Sequence, residues 1–422
     1  IILIMEKRSF LKKLSSISLL GFIPNKIFNN ALEETNVKKS SSEDKFWKRI
    51  RSHYDLNDEF INLESGYYNI VPKPTMIKYK KLISKINYEG SFYMRNKLEI
   101  DESKITQNLS ELVDCNPEEL IITRNTTESL DLIISGYPWE KNDEAIFADH
   151  DYGSMKEMFI QVSKRYGIKN KIISIPIHPK SDDQIVELYE KQINSKTKLI
   201  MVCHMINITG QILPIKKICE MAANYGVEVM VDGAHAIGQF NLSIRDLNCD
   251  YYGSSLHKWL AAPLGTGLLY VKKKNIPKIW PLFANETKQL DNIKKLNHKG
   301  THPVHSKLAI ISAIEYQNWI GIKKKEKRLR FLKNYWINKV KGFKNVIINT
   351  PFDKGRSCGI GNFGVKKIKP TKLADILLKE YKIYTVAIEE NGLNGCRVTP
   401  NLFTSTLELD KLIYAIKKIA NA

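Results

Sequence analysis

Between about residues 120 and 275, short β-branched runs alternate with stretches of helical period, and no other feature restricts the fold as strongly. The runs Ala145–Ala148, Ile172–Ile175, Leu199–Val202, Val227–Val231 and Gly267–Val271 read as strands. Between them, 154–166, 183–194 and 214–225 carry apolar residues at amphipathic helical spacing. Such alternation predicts an α/β fold with a mostly parallel sheet covered by helices. The tail has another rhythm, with helices at 323–342, 371–380 and 408–420 and strands at 345–349 and 360–366. It predicts a smaller C-terminal α+β domain at 316–422, after a large domain at 46–315. Residues 31–45 are polar and poor in apolar side chains, as a linker is. No internal repeat is visible, and 43% hydrophobic residues suffice for a sizeable core.

No apolar run reaches the roughly 18 residues needed to span a bilayer, which argues against an integral membrane protein. The six cysteines (115, 203, 219, 249, 358 and 396) include no C-x-x-C pair, so neither a zinc site nor a disulfide framework is expected. Lysine and arginine number 65 against 45 acids, a net charge of +20. One reading is a polyanion-binding protein built on an enzyme-like scaffold. The other is a lysine-rich bias over the whole surface, favoured because the lysines are dispersed and no nucleic-acid-binding signature accompanies them. The densest cluster, Lys323–Arg328, lies in a helical pattern with Leu329, Phe331 and Leu332 and is expected to be a solvated face.

Residues 1–30 differ in kind. Met5 opens the basic segment Glu6-Lys7-Arg8-Ser9-Phe10-Leu11-Lys12-Lys13, followed by the apolar stretch Leu14–Ile23 and Pro24. A basic segment before a short apolar stretch is the build of an export signal peptide. Lys7–Lys12 resembles a twin-arginine signal with lysine in place of the first arginine, which points to the periplasm. No A-x-A cleavage site follows, and an amphipathic N-terminal helix on a cytoplasmic protein fits the same residues.

Ligands of open α/β sheets bind at the carboxyl ends of strands, and the unusual residues stand there. Asp232-Gly233-Ala234-His235 follows the strand ending at Val231, and Ser254-Ser255-Leu256-His257-Lys258-Trp259 leads into Gly265-Thr266-Gly267. An acid, a lysine 26 positions later, a hydroxyl pair and an imidazole suit a dianion held beside a reactive amine. No G-x-G-x-x-G follows a strand, which sets a dinucleotide-binding fold aside.

These residues resemble the class V aminotransferase family of pyridoxal-phosphate enzymes, which includes cysteine desulfurases and isopenicillin-N-epimerase-like proteins. Supporting segments are Thr123–Ser129, Asp149–Tyr152, His204–Gly210, Gly300-Thr301 and Cys396-Arg397-Val398-Thr399-Pro400, so the resemblance spans roughly 60–420. It implies the type I, aspartate-aminotransferase-like fold with pyridoxal 5′-phosphate as cofactor. Lys258 would form a Schiff base with the cofactor aldehyde and then serve as general base, which requires a lowered pKa. Asp232 would pair with the pyridinium nitrogen. Thr126 and Thr127, at a helix N-terminus, would bind the phosphate, with further donors from Ser255 and His257. By the same resemblance Tyr152 would stack on the ring, and Asn207 and His235 would lie near its hydroxyl. Arg397 would bind the α-carboxylate of an amino acid, for which a bidentate fork is suited.

The resemblance also implies a homodimer, with Gly300-Thr301 reaching the phosphate in the neighbouring subunit. The hydrophilic stretch Lys294–Lys299 before it is accordingly expected to stay unburied in its own chain. As to reaction, 385–395 holds no cysteine, and Cys396 beside Arg397 is expected to be packed, which demotes desulfuration. A class V aminotransferase, and so a transferase, is the leading reading. Epimerase or lyase chemistry stands as the alternative.

Overall fold

The computed structural model describes residues 43–284 and 289–421. The export signal and nearly all of the linker expected at 31–45 lie outside the described residues. The chain divides into a short N-terminal unit ending at Arg49 and a second unit, Ile50–Ala422, that holds everything discussed below.

Seven strands form the larger sheet: β1 (Leu120–Thr123), β2 (Glu144–Ala148), β3 (Lys169–Ile173), β4 (Thr197–Cys203), β5 (Glu228–Asp232), β6 (Tyr251–Ser255) and β7 (Gly267–Val271). Their order is β1-β7-β6-β5-β4-β2-β3. All run parallel except β7, which is antiparallel to both neighbours. The loop 256–266 therefore leaves the carboxyl end of β6 and returns to that same edge.

Alternation along the strands divides the core in two. Ile146, Ala148, Ile200, Val202, Val229, Val231 and Tyr252 belong to one apolar cluster, with helices Leu98–Val113, Asp182–Glu190, Ile215–Asn224 and Ile310–Ile320. Ala145, Phe147, Leu199, Met201, Met230 and Tyr251 belong to the other, with helices Thr126–Gly136 and Gly153–Tyr166. A period of two places successive side chains on opposite faces, so each face acquires its own helical cover.

The C-terminal part carries an antiparallel sheet of β8 (Val346–Ile348), β9 (Gly361–Val365), β10 (Val386–Glu390) and β11 (Leu393–Val398), in the order β10-β11-β9-β8. Helices Ile322–Val340, Pro370–Tyr381 and Thr406–Asn421 share a third apolar cluster with it. A short segment from near the start of the unit joins this part. Ile61–Asn62 pairs in parallel with Ile383–Tyr384, and Thr399 N–H donates to Leu63 O at 2.8 Å.

Several expectations need correction. The edge strand β3 begins at Lys169, not near Ile172; its pairing with β2 sets that start, and its first residues are polar and partly exposed, so no apolar run marks them. Strands β1 and β6 and helices Lys73–Asn96 and Leu98–Val113 carried no reading from the sequence. The hairpin β10–β11 was also missed, although Asn391-Gly392, both at positive φ, is a strong turn signal. Lys323–Arg328 is not simply a solvated face. Lys325 is buried, with Nζ donating to Trp259 O and to Gln317 Oε1 (3.3 Å). On the same helix Lys333 is buried against Ser357 Oγ at 2.7 Å. Lys295 and Leu296 are likewise buried within their own chain, and Lys299 Nζ reaches Ile122 O, contrary to the exposed stretch expected at 294–299.

Gly238 shows how closely the loops at the sheet edge are packed. Its φ is +87°, and a Cβ there would lie 2.6 Å from Leu260 N and Trp259 C. Gly226 also has positive φ (+68°), but nothing lies within 4 Å of its missing Cβ. Gly238→Ala should lower unfolding stability by at least about 2 kcal/mol, through backbone strain and overpacking together. Gly226→Ala should cost roughly 1 kcal/mol, from conformation alone. Urea titration of both variants checks the difference, and equal losses would show that the loops are not in contact.

Candidate active site

Sheet register aligns the chemistry. Cys203 of β4, Asp232 of β5 and Gly253 of β6 lie abreast at the carboxyl ends of three adjacent parallel strands. Asp232 is buried, and Ala234 N–H donates to its Oδ1 at 2.9 Å. Burial raises its pKa, and the nearby Lys258 works in the opposite direction. The next residue must be glycine, because a Cβ on Gly233 would lie 2.1 Å from the Tyr252 ring. That close approach turns the chain so that His235 faces the lysine loop.

Lys258 Nζ lies 3.2 Å from His235 Nε2, and the Trp259 indole Nε1–H donates to His235 Nδ1 at 3.1 Å. Burial lowers the Lys258 pKa to about 8; Asp232 opposes that shift and Arg397 adds to it. The same burial, with Lys258, Arg397 and His257 nearby, pushes His235 well below the ordinary histidine value. At neutral pH the site thus holds an uncharged imidazole and a lysine close to its titration point.

A second group of residues gathers at the N-terminus of helix Thr126–Gly136. Asn125 caps helix Thr126–Gly136, its Oδ1 accepting from Glu128 N–H at 2.8 Å. Thr126 N–H donates to Ser255 Oγ (2.9 Å), and the two hydroxyls are 2.7 Å apart. Gly267 permits this meeting, since a Cβ there would lie 2.8 Å from the Asn125 backbone. Thr127 is half-buried in the first turn of the helix. His257 lies with Nδ1 3.1 Å from Thr266 O, and burial lowers its pKa to about 4. Its Nδ1–H therefore goes to that carbonyl, and Nε2 becomes a donor only on protonation, which an adjacent phosphate dianion would favour.

The remaining expected residues take different places. Tyr152 is 42% exposed at the start of helix Gly153–Tyr166, beside the carboxyl end of β2. The amide oxygen Oδ1 of Asn207 is buried with no partner. Thr301 and Gly300 are exposed, with Gly300 at φ +67°. Arg397, on β11, is buried and already paired. Its Nη2 and Nε donate to Glu64 Oε1 (2.7 Å) and Oε2 (3.2 Å), and Nη1 donates to Asn207 O (3.3 Å).

Glu64 escaped sequence reasoning because 333 positions separate it from its partner. Ile61–Asn62 and Leu63 bring it there through their backbone pairing with Tyr384 and Thr399. Asp151 was also missed as a site residue. It is buried between Ala148 N–H (2.7 Å to Oδ2) and Cys203, and burial raises its pKa to about 7. Among the described residues, no group of three or more His, Cys, Asp or Glu could hold a metal ion.

Residues 79–395 match the family described as aminotransferase class V. The chain belongs to that family. It is 24% identical over 393 residues to the isopenicillin N epimerase of Amycolatopsis lactamdurans, spanning 89% of this chain and 98% of the relative. A probable cysteine desulfurase from Halalkalibacterium halodurans is 28% identical over 272 residues, 62% of this chain and 65% of the relative. In fold, the chain resembles a cysteine desulfurase from Thermococcus onnurineus with a TM-score of 0.78, at 19% identity over 88% of this chain and 98% of the other. A cystine C–S lyase in complex with cysteine persulfide gives a TM-score of 0.77 at 19% identity, covering 86% and 98%. The fold is therefore of the type I pyridoxal-phosphate class, with a large mostly parallel sheet and a smaller antiparallel one.

Membership of this family implies pyridoxal 5′-phosphate as cofactor, and the site fits it. A helix N-terminus flanked by two hydroxyls suits the phosphate, a deprotonatable lysine suits the aldehyde, and the orphaned amide oxygen of Asn207 awaits a partner. In the cofactor-free protein, labelling of Lys258 by an amine-reactive aldehyde should rise with pH through a midpoint near 8, since only the free amine reacts. Peptide mapping across a pH series measures this, and a midpoint at the ordinary 10.5 would show the amine to be solvated.

Proposed function

We propose that this chain binds an α-amino acid through Arg397 and moves the proton at its Cα with Lys258, in a transamination. The observation that carries the reading is the shared site of a lysine with pKa about 8, a buried acid at a strand end and a buried arginine. When bound, pyridoxal phosphate supplies an electron sink for the pair left at Cα as a bond to it breaks. Lys258 would hold it covalently, then be freed by the incoming amine and act as base. Asp232 would face the ring nitrogen, where a positive charge stabilises the buried carboxylate. Thr126, Thr127, Ser255 and His257 would hold the phosphate, with Tyr152, Asn207 and His235 around the ring.

Glu64 takes the Nε–Nη2 side of the Arg397 fork, so a substrate carboxylate would meet the Nη1–Nη2 end. Removing arginine alone would leave Glu64 as an unpaired buried charge, which is itself costly. The informative variant is therefore Arg397→Ala in a Glu64→Gln background. Its KM for amino acids should exceed that of Glu64→Gln alone by roughly 10- to 100-fold, the loss of a charged hydrogen bond. The corresponding amines, lacking the carboxylate, should be little affected. Equal losses for amines and amino acids would refute the role.

Epimerisation is the second reading, favoured by the near full-length similarity to an isopenicillin N epimerase. Lyase chemistry shares the same site and stays in the same alternative. Product analysis separates them: transamination yields a keto acid, epimerisation the opposite enantiomer, and elimination a fragment. Desulfuration is disfavoured because the thiolate is the reactive form and all six cysteines are buried. Burial pushes Cys396 up to about 12, and its Sγ points to Pro370 O.

The exposed Gly300–Thr301 loop supports a homodimer in which that loop completes the neighbouring phosphate site. Lys258→Ala and Thr301→Asp chains, each inactive alone, should regain turnover as mixed dimers. Mass-verified heterodimers without activity would refute the shared site. Residues 1–30 support export, which fractionation of the full-length chain tests.

A further inference from the structure

The Trp259 indole can only donate a hydrogen bond, because its N–H carries the sole polar hydrogen and its nitrogen lone pair belongs to the ring. It points at His235 Nδ1 from 3.1 Å, so that nitrogen must offer a lone pair. A neutral imidazole accepting at Nδ1 has its proton on Nε2. The structure leaves little freedom for another arrangement, because Trp259 is held on every side. It is fully buried. Its carbonyl accepts from Lys325 Nζ, itself buried. A Cβ on Gly359 would lie 2.8 Å from its six-membered ring, and one on Gly238 would lie 2.6 Å from its backbone carbon.

We propose that Trp259 is a positioning residue that fixes His235 as the Nε2–H tautomer, so that His235 can donate to the lysine and cofactor but cannot serve as a base. Resting on the function proposed above, this deepens it. Nε2–H meets Lys258 Nζ at 3.2 Å, and that contact is a hydrogen bond only if the amine presents its own lone pair. The tautomer thus favours the uncharged, nucleophilic lysine. A lowered His235 pKa agrees, since an imidazolium would carry a proton on Nδ1 and break the indole contact. With His235 unable to accept a proton, Lys258 is left as the base at this end of the site. A single base fits a proton taken from Cα and passed along one face to a different atom, as a transamination would need.

The tautomer can be read without cofactor or turnover. In cofactor-free protein with 15N-labelled histidine, the resonances of His235, assigned by their loss in His235→Gln, should show a pyrrole-type Nε2 and a pyridine-type Nδ1. A protonated Nδ1 would overturn the proposal by itself, whatever the mutants do. Trp259→Phe removes the donor, and a site-specific benzothiophene analogue of tryptophan removes it while keeping the shape. In either, Nε2 is free to accept from the Lys258 ammonium. The labelling midpoint of Lys258 should then move up from about 8 by about one to two units, as expected for a hydrogen bond to a charged group. The other titratable groups acting on this lysine, Asp232, Arg397, Glu64 and Cys203, are unchanged in both variants. A folded variant with the wild-type midpoint and tautomer would refute the role. If no amino acid is turned over, the proposed function fails while the tautomer result stands.

Discussion

An amine works as a nucleophile near neutral pH only if its protonated form is made unfavourable, and the arrangement around Lys258 serves that requirement. Burial removes the water that would solvate an ammonium, and Arg397 adds like charge. Asp232 pulls the other way, which keeps the lysine near its titration point rather than permanently neutral. The requirement has a cost in stability. A lysine with a folded pKa near 8 binds fewer protons folded than unfolded between about pH 8 and the ordinary 10.5. Stability therefore rises with pH across that window as the penalty is relieved, and the penalty is fully present below it. The apolar clusters on both faces of the larger sheet must offset it.

The sheet supplies the rigidity this demands. Register across β4, β5 and β6 sets Cys203, Asp232 and Gly253 side by side, and the antiparallel β7 returns the lysine loop to the same edge. Glycines at 233, 238 and 267 allow backbones and rings to approach within distances that no side chain would tolerate. Positions outside the candidate site thus decide where its side chains stand. Lys325 is an example: from helix Ile322–Val340 it grips the carbonyl of Trp259, next to Lys258.

Much of this was legible in the sequence where one physical signal dominated. Strands β2, β4, β5 and β7 are legible because strands buried on both faces are short, nearly continuous apolar runs. The edge strand β3 was displaced, as Lys169, Asn170 and Lys171 belong to no apolar pattern. Asp232, Ser255 and Lys258 could be placed together because strand ends of an α/β sheet converge on one edge, whereas Thr126 joined them only through the family resemblance. The Glu64–Arg397 pair could not, since no local pattern links its two residues. Nor could the fate of Lys325, because charge alone does not reveal which lysine of a cluster faces inward. His257 was expected as a phosphate donor, yet its tautomer depends on a carbonyl nine residues away.

The ladder between Ile61–Asn62 and Ile383–Tyr384 also has a consequence for how the molecule is made. The carboxylate and guanidinium that it aligns come from near opposite ends of the 422-residue chain. During synthesis, which delivers the N-terminal part first, Glu64 emerges long before Arg397 exists to neutralise it. The seven sheet strands are all complete by Val271, but helix Ile310–Ile320 of their cover and Lys325, which holds the Trp259 carbonyl, are made only later. A chain truncated before β11 would leave the Glu64 carboxylate without the guanidinium that pairs with it.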